Sequence, residues 1–364
     1  MTPAAAGAHT RGMTPEIVIA GRAIGRAHPP YVIAELSGNH NGDVGRALAL
    51  VDAAAATGAD AIKIQTYTPD TITLACDRPE FTIRGGPWNG RTLHDLYGEA
   101  HTPYAWHARL FARAAEHGVP LFSSPFDETA VALLEGLDAP AYKVASFEIV
   151  DLPLIARIAR ATRPMILSTG MATLGEIGEA VAVARDNGAA GVALLHCTSA
   201  YPARIEDANV ATVPHLGQAF GCVAGLSDHT PGSAAAVASV VLGGAIVEKH
   251  LTLARADGGP DAAFSLEPDE FAALVRDCRA AHAALGRVEY EVLPAESENL
   301  AFRRSLRAVR PIAAGETFTP DNVRSIRPGG GLPPKALPAL LGRPARRAIE
   351  AGAPLAWDLV GDPQ

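Results

Sequence analysis

With 364 residues, the chain is long enough for one large domain and a small one. Hydrophobic residues make up 48% of it and charged residues only 19%, a balance that excludes a disordered chain. Its net charge of −8 argues against a nucleic acid as the partner, and no run of about 18 apolar residues predicts a membrane span.

The N-terminal residues 1–16 are predicted to form a flexible tail, because they lack the continuous apolar stretch of a signal peptide. The stretch EIVIAGRAIG (Glu16–Gly25) resembles a hairpin and is predicted to cap the bottom of the fold that follows. Four cysteines are scattered without a CxxC pair, and we interpret them as structural thiols of a reduced, cytoplasmic protein. They are Cys76, Cys197, Cys222 and Cys278.

From Tyr31 onward, short apolar runs alternate with Ala-rich stretches of helical spacing, which is typical of βα units on a parallel sheet. The eight runs are YVIAEL, DAIKIQ, VPLFSS, AYKVAS, PMILST, GVALLHC, CVAGLS and AIVEKH. The predicted helices include residues 45–57, 102–117, 174–186 and 268–285. Eight such units within residues 17–286 predict a TIM (β/α)8 barrel. An open, doubly wound sheet is the rival fold, but no GxGxxG turn follows the first run.

The composition changes after Arg287, where the Ala-rich helices stop and Pro, Gly and Arg increase. Residues 287–301 are predicted to be a linker, and residues 302–364 a second, small domain. Within it, PIAAGETFTPDNV resembles AIEAGAPLAWDLV, and the alignment places Ile312 against Ile349. This indicates one duplicated β-turn unit, not an extended array of repeats.

Polar residues end every predicted strand of the barrel, on the side where TIM-barrel enzymes carry their catalytic groups. A single Ser or Thr at a strand end is more often the N-cap of the next helix than a ligand group. The residues taken as candidates are Glu35, Lys63, Gln65, Ser124, Lys143, Ser146, Ser199, Ser227, His229, Glu248 and His250.

Lys63 and Lys143 lie inside predicted buried strands, where a lysine needs a specific reason. Both are expected to face the barrel interior and form a cationic pocket for a phosphate together with a carboxylate. The alternative is a pair of structural lysines bound to Glu35 and Glu248, which we weigh as the weaker interpretation.

His229 and His250 end neighbouring strands, so their imidazoles are expected to converge. Two imidazoles with open positions beside them predict a divalent cation, Mn²⁺ or Mg²⁺, although a single histidine is more often a core or loop residue. Because residues two apart face the same side of a strand, Glu248 and His250 should share the site, whereas Lys249 should point towards the helices.

Two loops are expected near the site. NHNGD (Asn39–Asp43) offers Asp43 as a helix cap, and its His40 is interpreted as an anchor of the loop. DGGPDAAFSLEP (Asp257–Pro268) follows the eighth strand and is placed to cover the site; its Asp257 and Asp261 fit hydroxyl binding and turn capping equally well.

These motifs resemble those of the sialic acid synthase family, most closely the branch that makes pseudaminic acid. The resemblance extends over residues 17–359 and is carried by AELSGNHNGD, ADAIKIQTYTPDTITL, FSSPFDETAV, PAYKVASFEI, ILSTGMAT, LLHCTSAYPA, GLSDHT, VEKHLTL, GGPDAAFSLEP and SIRPGGG. It implies a TIM barrel joined to a small antifreeze-like (SAF) domain in a domain-swapped homodimer. It also implies condensation of phosphoenolpyruvate with the open-chain aldehyde of an amino sugar, here 2,4-diacetamido-2,4,6-trideoxy-altrose, to give a nine-carbon keto acid and phosphate.

The resemblance also implies roles for single residues. His229 and His250 would be metal ligands, with Glu35 and Glu248 as candidates for handling water and protons. The phosphoenolpyruvate site would comprise Lys63, Ser124, Lys143, Ser146, Ser199 and Ser227, although Ser199 stands where sialic acid synthases carry Asn. The sugar would meet Glu35, Gln65, Tyr201 and Asp261, and Arg327 of RPGGG would reach the partner subunit's site.

Three alternatives stay open at this level. The same chemistry on a manno-configured sugar would make N-acetylneuraminate or legionaminate. A synthase or aldolase acting on a phosphorylated sugar would need a second phosphate site, and no further Lys or Arg cluster is seen at the strand ends. A sugar-binding protein with an inactive barrel would not need the strand-end polar set that this chain retains.

Overall fold

The structure, a computed structural model, describes residues 15–362 of the chain. Most of the predicted tail lies outside the described residues, and Glu16 already begins a strand. The chain divides into two compact units, the second of which begins at Arg287. Among residues 15–362, none of the helices combines the length and apolar character that crossing a membrane requires.

The first unit is a closed barrel of eight parallel strands, β3 to β10, in which β10 pairs with β3. This confirms the predicted TIM barrel. The strands of the unit are β1 (Glu16–Ile19), β2 (Arg22–Gly25), β3 (Tyr31–Glu35), β4 (Ala61–Thr66), β5 (Leu121–Pro125), β6 (Tyr142–Val144), β7 (Pro164–Ser168), β8 (Gly191–Cys197), β9 (Val223–Asp228) and β10 (Ile246–His250).

Helices follow the barrel strands, and their apolar faces pack on the outside of the sheet. They are α1 (Val44–Ala56), α2 (Pro69–Ile72), α3 (Leu93–Ala100), α4 (Tyr104–Glu116), α5 (Glu128–Gly136), α6 (Leu152–Ala159), α7 (Leu174–Asp186), α8 (Thr212–Phe220), α9 (Ala234–Val241) and α10 (Pro268–Leu285). As predicted, Asp43 caps α1, because its side chain accepts a hydrogen bond from the Arg46 amide at 2.6 Å.

The β1–β2 hairpin closes the N-terminal end of the barrel. Its Ile17 and Ile19 are buried in one cluster with Tyr31, Phe122 and other inward residues of the strands. The fit is tight, since a Cβ at Gly191 of β8 would lie only 2.8 Å from Cγ2 of Ile17. The hairpin predicted from the sequence therefore does cap the bottom of the barrel.

Strand register brings the polar strand ends together at the opposite mouth. In the parallel pairing, Glu35 of β3 lies beside both His250 of β10 and Lys63 of β4. Glu248 of β10 is paired with Ser227 of β9. The residues that end the strands therefore determine which side chains meet at the site.

The connection between β4 and α4, residues 67–103, is longer than the others and was not resolved into elements from the sequence. We call it the β4–α4 segment. It contains α2, a bridge between Thr82 and Thr92, and α3, all near the mouth of the barrel.

The second unit has its own core, formed by residues such as Leu306, Phe318 and Leu340. Its elements are β11 (Ser305–Ala308), β12 (Val323–Ile326) and α11 (Leu337–Leu340). The two repeats found in the sequence meet here, because the amides of Ile312 and Ile349 each donate to the other's carbonyl oxygen, at 2.9 and 2.8 Å.

Candidate active site

The mouth of the barrel gathers the predicted residues of the first unit around one site, beside a cavity of about 500 Å³. Arg327 belongs to the second unit, where it is exposed just after β12. The residues that meet at the mouth are Glu35, Lys63, Gln65, Ser124, Lys143, Ser146, Ser199, Tyr201, Ser227, His229, Glu248, His250 and Asp261.

Two lysines and two glutamates form a buried charge cluster at the base of the mouth, and each is at most 4% exposed. Nζ of Lys63 lies 2.8 Å from Oε2 of Glu35 and 3.6 Å from Oε1 of Glu248. Nζ of Lys143 lies 3.3 Å from the same Glu248 oxygen. The lysine–glutamate pairing that we weighed as the weaker interpretation is therefore present, because each buried ammonium needs a counter-charge.

The two glutamates of this cluster differ in protonation. Burial raises the pKa of Glu35, and the attraction of Lys63 does not offset it. Burial acts on Glu248 as well, but Lys143 and Lys63 outweigh it and lower its pKa to about 2. Glu248 is thus favoured as a carboxylate, whereas the pKa of Glu35 is shifted in the opposite direction, towards the protonated acid.

Hydroxyl groups surround the lysines. Ser124 Oγ accepts a hydrogen bond from Lys63 Nζ at 3.3 Å, and Ser227 Oγ donates to Glu248 Oε1 at 3.1 Å. Ser146 Oγ accepts from the Gly170 amide at 3.2 Å, so the loop after β7 also reaches the site. Together with the ammonium groups, these hydroxyls offer donors on several sides of a small anion.

The two histidines converge as predicted, with ring centroids 5.2 Å apart. Nδ1 of His229 donates to the Thr198 carbonyl oxygen at 3.1 Å, which leaves the Nε2 lone pair free. Nδ1 of His250 is buried and has no hydrogen-bond partner. Within residues 15–362, no third His, Cys, Asp or Glu joins them in a group suited to holding a metal ion.

Lys249 points away from the site, as strand alternation predicted. Its Nζ lies 2.7 Å from Oδ2 of Asp228, and both side chains are buried behind the mouth. Asp228 also accepts hydrogen bonds from the amide and hydroxyl of Thr230. This pair links β9 to β10. It also engages the carboxylate of Asp228 with Lys249, although Asp228 directly precedes His229 in the sequence.

The sugar-side residues line one end of the cavity. Gln65 donates from Nε2 to Oε1 of Glu35 at 2.8 Å, and Asp261 accepts hydrogen bonds from the Ser37 hydroxyl and the Gly38 amide. The ring of Tyr201 packs on that of His229, with centroids 4.5 Å apart. In contrast, Asp257 is not part of the cavity lining and pairs with Arg46 at 2.6 Å.

Two residues that the sequence did not single out also lie at the site. Cys197, interpreted as a structural thiol, has its Sγ 3.8 Å from His229 Nδ1 and 3.8 Å from Ser199 Oγ. Glu148 lines the cavity, and its buried Oε2 has no hydrogen-bond partner. Their positions in the sequence could have indicated this, because Cys197 ends β8 and Glu148 follows the candidate Ser146 by two residues.

Glu148 should make stability depend on pH. Burial raises its pKa from 4.5 to about 7, so the folded state holds the proton more tightly than the unfolded state does. Wild-type stability should fall as pH rises from 4.5 and level off above 7, and Glu148→Gln should remove this loss, on the order of 3 kcal/mol by pH 8. Thermal unfolding of both proteins across this range, with exposed Glu298→Gln as control, measures it. A difference in Tm between wild type and Glu148→Gln that is the same at every pH would contradict the prediction.

Sequence comparison identifies families for both parts of the chain. Residues 50–290 match the NeuB family, and residues 303–361 match the SAF domain. The chain is 42% identical to a pseudaminic acid synthase of Helicobacter pylori, over 91% of this chain and 97% of the relative. It is 43% identical to one of Campylobacter jejuni, over 88% of this chain and 94% of the relative.

A solved structure agrees with this assignment. The N-acetylneuraminic acid synthetase of Leptospira borgpetersenii is 30% identical and superimposes with a TM-score of 0.71, covering 80% of this chain and 96% of that chain. The resemblance noted from the motifs is thus confirmed, including the small SAF fold after the barrel. The chain belongs to the NeuB family and carries a SAF domain.

Proposed function

We propose that the protein condenses phosphoenolpyruvate with the open-chain aldehyde of 2,4-diacetamido-2,4,6-trideoxy-altrose, giving pseudaminic acid and phosphate. The observation that carries this proposal is the buried Lys63–Lys143 pair at the barrel mouth, together with His229 and with His250, which lines a cavity large enough for a sugar. The extensive similarity to pseudaminic acid synthases supports the choice of product.

Phosphoenolpyruvate carries two anionic groups that could take the place of the glutamates beside the lysines. Its phosphate and carboxylate would replace glutamate oxygens as partners of Lys63 and Lys143, with Ser124 and Ser227 adding hydroxyl groups. Lysines that are already buried and oriented need no reorganisation when the anion enters.

Gly170 provides a test of the phosphate end. A Cβ there would overlap Ser199 Oγ and lie 2.8 Å from Ser146 Oγ, so Gly170→Ala should displace both hydroxyls. We expect KM for phosphoenolpyruvate to rise about 10-fold or more, because each lost hydrogen bond to a charged group costs about 1.5–3 kcal/mol. Initial-rate kinetics measure this, with Gly175→Ala on α7 as control. An unchanged KM would remove Ser146 and Ser199 from the subsite.

A divalent cation fits the two histidines. His229 keeps Nε2 free, and His250 presents a buried nitrogen without a partner, which is a costly arrangement unless a ligand completes it. Two nitrogen ligands with oxygen from substrate and water suit Mn²⁺ or Mg²⁺. When bound, such an ion would polarise the aldehyde oxygen as a Lewis acid.

Glu35 is proposed as the proton carrier. Protonated, it gives its proton to the aldehyde oxygen as the methylene carbon of phosphoenolpyruvate attacks the aldehyde carbon. As a carboxylate, it takes a proton from the water that adds to the oxocarbenium carbon C2. The new C2 hydroxyl then gives its proton to the departing phosphate as the C2–O bond to phosphate breaks, which leaves the 2-keto group. Gln65, bonded to Oε1 of Glu35, orients this carboxyl group, and Glu248 stays ionised between the lysines.

The assembly remains part of the proposal. We propose a domain-swapped homodimer in which Arg327 of the SAF domain reaches the partner's site, where a guanidinium would meet sugar oxygens or the carboxylate. We place the reaction in the cytoplasm, where phosphoenolpyruvate is produced.

Phosphate release with different sugars tests the function. We expect release from phosphoenolpyruvate only when an amino sugar is added, with the highest kcat/KM for the altrose derivative. N-acetylmannosamine and 2,4-diacetamido-2,4,6-trideoxy-mannose serve as the competing substrates. A higher kcat/KM for either of them would reassign the product to N-acetylneuraminate or legionaminate. If no phosphate were released with any of the three sugars, the interpretation as a sugar-binding protein with an inactive barrel would be favoured.

A further inference from the structure

The cavity at the mouth is divided into a polar end and an apolar side. Gln65, Asp261 and His250 lie at the polar end. Another part of the lining is formed by side chains of the β4–α4 segment, which we call the apolar wall. The apolar wall consists of Ile72, Ile83, Trp88, Leu93, Leu96 and Tyr97.

The apolar wall is held in place by the loop that follows β10. Nε1 of Trp88 donates to the Pro260 carbonyl oxygen at 2.9 Å. The same indole packs against Tyr201 and Phe264, with ring centroids 5.5 and 6.3 Å apart. Phe264 in turn contacts His250 at 5.0 Å, so the wall is fixed relative to the polar end.

This wall offers a sugar few hydrogen-bond partners. Four of its six members are Ile or Leu, and the indole N–H of Trp88 is already bonded to Pro260. A sugar hydroxyl placed against it would lose water without compensation, at about 1–3 kcal/mol. A methyl group in the same place is favoured by about 25 cal/mol per Å² of apolar surface buried.

We propose that the apolar wall receives the C6 methyl group of the open-chain amino sugar and is the element that rejects sugars with a hydroxyl at C6. The proposal rests on the proposed function, because it assumes that the amino sugar occupies this cavity. The polar end binds the reacting end of the open-chain sugar near His250, and the wall receives the deoxygenated end. The β4–α4 segment is thus the specificity element of the barrel.

The wild-type enzyme gives the first measurement. The probe pair is 2,4-diacetamido-2,4,6-trideoxy-altrose and the same sugar with a hydroxyl at C6. We expect kcat/KM for phosphate release to favour the deoxy sugar by about 10²-fold, the discrimination that an apolar pocket achieves against one added hydroxyl.

A polar substitution in the wall should reduce this preference. Leu93→Gln introduces an amide that can bond the C6 hydroxyl, and the preference should fall below about 10-fold. Ile83→Gln introduces the same amide at another part of the wall. It replaces Leu93→Gln in the test if thermal unfolding shows that Leu93→Gln is not folded. Leu74→Gln is the matched control, since Leu74 belongs to the same segment but is 61% exposed and lies outside the cavity lining.

The outcomes separate the two proposals. Equal kcat/KM for both sugars in the wild type, or an unchanged preference in both wall variants, would overturn the apolar wall while phosphate release still upholds the synthase. A preference that falls equally in Leu74→Gln would overturn it too. Absence of phosphate release with either sugar would overturn the proposed function itself.

Discussion

Activation by divalent cations should be lost when His250 is replaced by glutamine. The imidazole is buried with Nδ1 unpartnered, and its ring centroid lies 5.2 Å from that of His229, so glutamine would remove one of the two proposed nitrogen ligands. Lewis-acid stabilisation is worth several kcal/mol, so kcat/KM should fall by about 10³-fold or more. The measurement is phosphate release from chelator-treated enzyme, titrated with Mn²⁺ or Mg²⁺, together with the metal affinity of each protein.

A second buried histidine provides the control. His107 is fully buried, and its ring nitrogens contact Thr66 Oγ1 at 2.8 Å and the Pro103 carbonyl oxygen at 3.2 Å. His107→Gln should lower stability but keep cation activation. Full activity of the metal-stripped wild type, or of His250→Gln, would show that the histidines do not hold a metal.

Replacing Lys63 by methionine should have an effect of similar size on phosphoenolpyruvate. Lys63 contacts Glu35, Glu248 and Ser124 at once, and its loss leaves two carboxyl groups facing one ammonium. An anionic substrate would then meet one buried ammonium group instead of two, so kcat/KM for phosphoenolpyruvate should fall by about 10³-fold, or roughly 4 kcal/mol. Kinetics at varied phosphoenolpyruvate concentration measure this.

Lys249 provides a control that distinguishes an effect on substrate binding from an effect on stability. Lys249 is equally buried but pairs with Asp228 on the helix side. The double variant Asp228→Asn/Lys249→Met removes that pair without leaving one buried charge, so it should alter Tm more than kcat/KM. If it lost as much activity per folded molecule as Lys63→Met, the distinction between the two faces of the strands would fail.

Strand alternation and strand order made most of the site predictable. Knowing that Lys63 and Gln65, or Glu248 and His250, share a face required only the period of two in a β-strand. The convergence of eight strand ends then follows from the barrel, whatever the loops do.

Other features depended on contacts that one sequence does not encode locally. Lys63 and Lys143 pair with Glu35 and Glu248 because burial demands a counter-charge. Glu148 lies in a short 3₁₀ turn, where strand alternation gives no direction. The β4–α4 segment has weak periodicity, and its apolar residues face a cavity instead of a core, so burial patterns do not locate them.

The hairpin at the bottom of the barrel also has a consequence for the order of events. Lys63 precedes Gln65 by two residues on β4 and therefore lies about 7 Å deeper, since each strand residue advances about 3.3 Å. With Ile17 and Ile19 closing the far end, the lysines are reached through the mouth, where the sugar is proposed to bind. Phosphoenolpyruvate should accordingly load first, the sugar should seal it in, and phosphate should be the last product to leave.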